Sequence, residues 1–393
     1  MSEVTWEITS LSELGTFSRG KSKHRPRNDI KLFEGGTYPL VQTGDVKAAN
    51  LYITKNDSYY NDFGLKQSKL WPAGTLCITI AANIAETAIL SYPMCFPDSI
   101  VGFNANPEKS SELFVYYFFE YIKKEIQKSA SGSIQDNINI DYLSKMRIKI
   151  PEKDYQDKIV EVLSSIDKKI LLNNQINQEL EDMAKTLYDY WFVQFDFPDQ
   201  NGKPYKSSGG KMVYHPELKR EIPEGWGVAR LGELQITTGK RDANFGTENG
   251  KYDFWTTANN PIKSDEFSFE GKAILIAGNG NFYVNFTDGK FEAYQRTYVI
   301  QSEDEKMLIF MYMACLQSVE KLRKGSNGSI IKYITIGDIN DISSPFEQNV
   351  VDEFIKIYRP LIDLISNNKK ENQQLTQLRD WLLPMLMNGQ VKV

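Results

Sequence analysis

WEITSLSEL, at Trp6–Leu14, returns as WGVARLGEL at Trp226–Leu234. The repeat sets Trp6 against Trp226, Leu11 against Leu231, Glu13 against Glu233 and Leu14 against Leu234. Further along, SGSIQDNI around Gly132 returns as NGSIIKYI around Gly328, each followed by a proline and a long heptad-patterned segment. Those segments carry NQEL at Asn177–Leu180 and NQQL at Asn372–Leu375. The residues between these landmarks differ freely. A scaffold kept in duplicate while its contents diverge predicts two domains of one design with different working surfaces.

The pattern between the landmarks predicts an α+β chain: two pseudo-symmetric mixed α/β domains separated by two long antiparallel coiled-coil helices. The expected divisions are a first domain over 1–150, a first long helix over 151–196 and a linker over 197–221. A second domain over 222–345 and a second long helix over 346–393 follow. Short β-rich runs bounded by turn residues, such as Tyr38–Thr43, Thr75–Ile80, Ile100–Phe103 and Ala273–Ala277, read as strands. Leu113–Ile126 and Met307–Leu322 read as aromatic-rich helices whose rings pack a core. The stretch 197–221, rich in Gly, Pro, Ser and Lys, has no periodicity and reads as connecting chain.

The long segments carry the clearest period. Ile159, Leu163, Ile166, Ile170, Asn173, Asn177, Leu180, Ala184, Leu187 and Trp191 step by fours and threes. So do Val351, Phe354, Tyr358, Leu361, Ile365, Asn368, Asn372, Leu375, Leu378 and Leu382. Both are coiled-coil seams. If the helices run antiparallel, Asn173 faces Asn372 and Asn177 faces Asn368, and such polar seam residues fix register at a cost in stability. A solvated edge would suit the same asparagines. Pro360 is expected to kink or restart the second helix, because it lacks an amide donor and crowds the preceding turn.

Composition narrows the chemistry. Across 393 residues, 41% hydrophobic and 25% charged content is that of a globular protein. No apolar run approaches the length of a membrane span, and the N-terminus does not resemble a signal peptide, so a cytoplasmic location is expected. Cys77, Cys95 and Cys315 are far apart and read as buried thiols of a reducing compartment. With only His24 and His215 and no paired cysteines, no metal site is expected. No catalytic set is legible either: a base methyltransferase would need a Pro-Pro signature that the chain lacks, and neither histidine has a nucleophile placed by sequence.

The net charge of −5 argues against nucleic acid only as a sum, because phosphate contacts are local. Arg19, Lys21, Lys23, Arg25, Arg27 and Lys31 crowd one segment, opposed only by Asp29. Within it, Gly15–Ser22 fits the pattern of a phosphate-binding P-loop, which would make the chain a nucleotide-using enzyme. That loop requires a strand leading in and a helix leading out. Here the lead-in is polar, and Pro26 blocks a regular helix after it. The second copy keeps only Gly239-Lys240-Arg241.

Recognition remains. Arg19, Lys21, Lys23, Arg25 and Arg27 are candidates for phosphate contact. Ser133, Gln135 and Asn137 combine a small residue with amides able to read base edges, and Asn327, Ser329 and Lys332 are their counterparts. Polar turn residues complete the candidate DNA-binding set: Thr43 and Asn83 in the first domain, and Lys240, Arg241, Asn259, Asn279 and Asn281 in the second.

At this point the chain resembles a known family, the specificity subunits of type I restriction–modification systems. The likeness rests on Ile222–Trp226 (IPEGW) followed by Arg230–Leu234 (RLGEL), on Leu187–Pro198 (LYDYWFVQFDFP), on the Gly-Ser segment before each helix, and on the duplication. It implies two target-recognition domains gripping an asymmetric bipartite site on double-stranded DNA. It further implies paired helices that act as a ruler and dock two modification (methyltransferase) subunits, with restriction (motor–nuclease) subunits joining them. S-adenosylmethionine would belong to the methyltransferase partners, and this chain would bind no cofactor. A specificity subunit serving a combined cleavage–methylation enzyme fits the same residues. The second domain lacks the dense cation run of the first, which leaves its phosphate contacts without an obvious source.

Overall fold

The structure, a computed structural model, describes residues 4–81, 83–131, 139–248, 250–324 and 333–393. The chain forms two compact units, Met1–Asn174 with Lys369–Val393, and Gln175–Asn368. Both divisions fall inside the long helices. Each unit therefore contains a sheet-rich domain and two helix segments.

The repeated motif opens each domain in the same way. In the first unit Trp6–Ser10 pairs antiparallel with Arg147–Pro151, clasping the domain's first strand to its last. In the second, Gly227–Arg230 pairs with Ser343–Phe346. A single helical turn follows in each, Leu11–Leu14 and Leu231–Glu233, and it buries Leu11 and Leu231 completely. Glu13 closes its turn by accepting from the Thr9 hydroxyl at 2.5 Å. Full burial of one leucine stabilises by about 2 kcal/mol, so the repeated leucines anchor the two cores.

The main sheet of the first unit runs in the order Gly15–Arg19, Ile100–Ala105, Leu76–Thr79, Thr87–Leu90, Tyr52–Ile53. That of the second runs Gln235–Thr238, Thr297–Gln301, Phe269–Ala277, Val284–Ala293, Tyr252–Trp255, Ile262–Ser264. The first five positions match strand for strand, the fifth strand lying parallel to the fourth in both sheets. The units differ beyond them, where the first places Ser58–Tyr60, Tyr38–Leu40, Met94–Cys95 and Leu70–Trp71 in a separate sheet. Glu112–Ser131 and Glu305–Lys324 are the matching helices.

Three expectations need correction. The strand expected over Tyr38–Thr43 ends at Leu40, because the Asp45 carboxylate accepts the Gln42 amide at 2.7 Å and starts a helix at Thr43–Ala48. The stretch expected to be a linker holds the strand Met212–His215, which pairs with Arg220–Pro223. The second long helix passes through Pro360 without restarting. Pro360 and Lys356, whose carbonyl loses its partner, are both exposed, so water takes the missing bond.

The long helices are Lys153–Tyr188, widening into a π-helical turn at Asp189–Val193, and Gln348–Met387. The wide turn lets Trp191 and Phe192 both point inward, where they meet Tyr188, Phe354 and Trp226. Within each unit the helix segments run antiparallel. In the first, Asn173 Nδ2 donates to Asn372 Oδ1 at 2.9 Å, and Arg379 Nη1 donates to Asp167 Oδ1 at 2.9 Å. In the second, Asn368 Nδ2 donates to Asn177 Oδ1 at 2.8 Å, while Tyr188 packs on Phe354. Asn173, Asn177 and Asn368 are buried. The expected seam fails at Leu378, which is 43% exposed. Arg379 turns inward instead, because Asp167 is buried and already accepts the Tyr117 hydroxyl at 2.6 Å.

Asn177→Ala should strand the buried Asn368 amide and lower stability by about 1–3 kcal/mol. The paired change Asn177→Leu with Asn368→Leu should recover that loss, since an apolar seam is the more stable one. Urea unfolding of the three variants checks both statements, and a double variant no better than the single one contradicts them. The cysteines give a second test. All three are buried and free, and burial pushes the thiols of Cys77 and Cys315 up and that of Cys95 up to about 11. None should react with a thiol reagent at pH 8 in the native protein, and all should react in denaturant.

Candidate nucleic-acid interface

The cationic segment of the first domain leaves its sheet at one corner. Gly15–Arg19 is a strand, paired from Ala105↔Gly15 to Val101↔Arg19, and the next helical residues are Ile30–Leu32. A P-loop would put a helix N-terminus directly after Lys21. The nucleotide-enzyme reading of Gly15–Ser22 is thereby overturned.

At the corner, the Gly20 amide donates to Ile100 O at 2.8 Å, the Lys21 amide to Phe96 O at 3.2 Å, and the Ile80 amide to Ser99 O at 3.0 Å. The second domain repeats all three bonds. The Gly239 amide donates to Thr297 O at 2.9 Å, the Lys240 amide to Ala293 O at 3.0 Å, and the Gly278 amide to Arg296 O at 2.8 Å. Both glycines are required by close approach. A Cβ on Gly20 would lie 2.1 Å from Pro97 O, and one on Gly239 would lie 2.2 Å from Tyr294 O. The Gly-Lys pair that mimicked part of a P-loop is thus a backbone step used once in each domain, and it presents Lys21 and Lys240 as exposed cations.

Around the first step, Asp98 gathers the arginines. Arg27 Nη2 donates to its carboxylate at 2.6 Å, Arg25 stands 3.7 Å away, and Arg19 Nε donates to its carbonyl at 2.5 Å. Arg25 and Arg27 remain half-exposed, with donors to spare. Gln67 accepts the Lys23 and His24 amides at 2.7 and 3.1 Å, which fixes the loop. His24 Nε2 lies 2.7 Å from Asp29, and this bond holds the Asp29 carboxyl below the usual carboxylate range. Lys23 stays exposed.

A strand-linking turn rises at the same corner. In the first domain it joins Leu76–Thr79 to Thr87–Leu90. The buried Thr79 hydroxyl accepts the Glu86 amide at 2.9 Å and donates to the Asn83 carbonyl. Gln127 Nε2 donates to Ile84 O at 3.0 Å. Lys47 Nζ, from the helix that begins at Thr43, reaches Asn83 Oδ1 at 3.4 Å. In the second domain the turn joins Phe269–Ala277 to Val284–Ala293, with the Ala277 amide bonded to Tyr283 O at 2.9 Å and the Ile334 amide to Gly278 O at 2.8 Å. Asn83, Ala85 and Phe282 hold left-handed backbone, with φ of 45°, 61° and 52°. Each such non-glycine residue costs about 1 kcal/mol or more.

The corner thus brings together Arg19, Lys21, Lys23, Arg25, Arg27, Thr43 and Asn83 in one unit, and Lys240, Asn279 and Asn281 in the other. Exposed Asn259 follows Thr256, whose carbonyl accepts the Thr297 hydroxyl at 3.2 Å. Arg241 is tied into its own domain. Its Nε lies 3.2 Å from Glu292, which is fully buried, and its Nη2 lies 2.5 Å from Glu266. That arginine compensates a buried carboxylate. Arg296, which the sequence reading missed, is exposed beside Gly278 and supplies a cation to the second corner. Ser133, Gln135, Asn137, Asn327, Ser329 and Lys332 lie outside the described residues. Among the described residues no cluster of His, Cys, Asp and Glu could hold a metal, and no helix is long and apolar enough to cross a membrane.

A sequence model described as "Type I restriction modification DNA specificity domain" matches residues 3–182 and 223–377. The chain is 28% identical over 422 residues to the type I restriction enzyme MjaIX specificity subunit of Methanocaldococcus jannaschii, covering 99% of this chain and 94% of that one. It is 37% identical over 183 residues to the EcoDI specificity subunit of Escherichia coli, covering 44% of this chain and 40% of that one. Among solved structures, the type I restriction–modification S subunit from M. genitalium aligns over 98% of this chain and 97% of that one. Its TM-score is 0.58 at 17% identity, a likeness of fold.

Lys21→Ala and Lys240→Ala should each weaken duplex binding about equally on all sequences and lower the salt slope by roughly one unit. Arg241→Ala should instead lower thermal stability, because it leaves Glu292 buried without its cation. Salt titrations and melting curves separate the two classes. A base-specific effect of either lysine would contradict the assignment.

Proposed function

Because this chain belongs to the type I restriction–modification DNA specificity family, whose members are sequence-recognising and non-catalytic subunits, we propose that it grips an asymmetric bipartite site on double-stranded DNA. Each sheet-rich domain takes one half of the site through its corner. The observation that carries this reading is the triplet of backbone bonds repeated at Gly20, Lys21 and Ile80 and at Gly239, Lys240 and Gly278. Around that shared frame the side chains differ. Identical readers would suit a palindrome, whereas one frame with different readers suits two unlike half-sites.

The long helices, of 36 and 40 residues, run for roughly 54 and 60 Å at 1.5 Å per residue. In this proposal their length sets the number of base pairs between the half-sites, since successive major grooves lie about 34 Å apart. Two modification subunits dock on them and bring S-adenosylmethionine to adenine, and restriction subunits join the assembly in the cytoplasm. The chain itself holds no cofactor and breaks no bond.

Replacing residues 226–345 by those of a relative should exchange one half of the methylated motif and leave the other intact. Deleting one heptad from each long helix should change the spacer and neither half. Methylome sequencing of cells carrying each variant reads both outcomes. A chimera that keeps the parental motif, or changes both halves, would sink the two-reader proposal.

A further inference from the structure

We propose that the strand-linking turn at each corner is the element that reads base edges, through Asn83 in the first domain and Asn281 in the second. The inference rests on the reading that each corner faces duplex DNA, and it divides the labour there. The Gly-Lys step holds the phosphate backbone, and the turn beside it enters the groove.

Placement comes first. The two features are locked together by consecutive carbonyls: Ser99 O takes the Ile80 amide and Ile100 O takes the Gly20 amide. Arg296 O and Thr297 O do the same for Gly278 and Gly239. A lysine set on a phosphate by the step therefore fixes where the turn lies relative to the bases. This is the relation between backbone contacts that position and base contacts that specify.

Rigidity comes second. The first turn is tied by the buried Thr79 hydroxyl, by Gln127 and by the Lys123–Glu86 ion pair at 2.6 Å. In the second turn Phe282 is buried despite its left-handed backbone, and Asn279 bridges to Tyr333. Left-handed backbone at three non-glycine residues, kept by surrounding bonds, is the usual mark of a segment shaped for contact. A reader ordered before binding loses little entropy when it docks.

Chemistry comes third. Asn83 and Asn281 are exposed, and a carboxamide can pair bidentately with adenine at N6 and N7. Lys47 beside Asn83 and Arg296 beside Gly278 supply the positive field that draws each turn toward DNA. The residues from Ala81 to Glu86 and from Asn279 to Tyr283 have little in common beyond their asparagines, as two different half-sites require.

The test uses the full chain assembled with its modification subunits. Asn83→Asp and Asn281→Asp keep a side chain of the same shape and remove the amide donor. A third variant replaces residues 278–283 by the equivalent turn of a relative, and melting curves report the folding of all three. Methylome sequencing and binding to a randomised duplex library are the readouts. Asn83→Asp should change or relax preference at one or two positions of one half-site by about 5- to 100-fold. Asn281→Asp should do so only in the other half, and the transplanted turn should carry the relative's preference there. Affinity lost equally on all sequences would make the turn a backbone contact and overturn the proposal. So would an unchanged motif in all three variants while the graft of residues 226–345 still exchanges a half-site. Failure of that graft would instead overturn the function on which this inference rests.

Discussion

Two consecutive carbonyls, Ser99 and Ile100 in one domain and Arg296 and Thr297 in the other, each accept an amide from a different neighbouring segment. Everything that makes the corner usable depends on that arrangement. It ties the Gly-Lys step to the strand-linking turn without using a side chain, so the frame survives when the side chains change. It also explains why Gly20 and Gly239 tolerate nothing larger, because the step passes within bonding distance of backbone on the far side. Beyond the Gly-Lys pair, the two corners share backbone geometry rather than side chains.

The helices solve a different problem by opposite means. Their seams are apolar at the ends and carry asparagines at the centre, where Asn173 meets Asn372 and Asn177 meets Asn368. An apolar centre would be more stable, but it would allow slippage by a heptad. Asp167, joined to Tyr117 and Arg379, adds a second polar lock in the first unit. Removing either partner of that buried pair would leave a charge without compensation. The register is therefore held by groups that are costly to mismatch rather than by the strongest available packing.

Much of this was legible in the sequence. The repeat of Trp6–Leu14 at Trp226–Leu234 reported two copies of one topology, because the recurring Leu11 and Leu231 are both fully buried at the start of their domains. The seams were legible because apolar residues spaced by threes and fours fall on one stripe of a helix and on neither face of a strand. The exceptions have physical causes. Leu378 fits the period, but Asp167 draws Arg379 into its place. Pro360 stays within the helix because the carbonyl that it orphans belongs to Lys356, which is exposed. The ion pair of Arg241 was not legible, because its partner Glu292 is distant in sequence and comes close only when the sheet forms. Arg296 gave no signal as a lone arginine after an aromatic corner. The Gly-Lys pair did give a signal, though the longer motif around Gly15–Ser22 disguised it.

The clasp at the foot of each domain has a further consequence. Trp6 sits opposite Pro151, and Gly227 sits opposite Phe346, so the chain enters and leaves each domain at adjacent points on one pair of strands. A segment with neighbouring ends is a cassette. Homologous recombination between two such genes needs matching sequence only at those ends, and these are where the repeated landmarks lie. Exchange there inserts a whole domain while the ladder that seals it re-forms from unchanged backbone. In the two-reader proposal, one such exchange replaces one half of the site that the chain reads and leaves the other half alone.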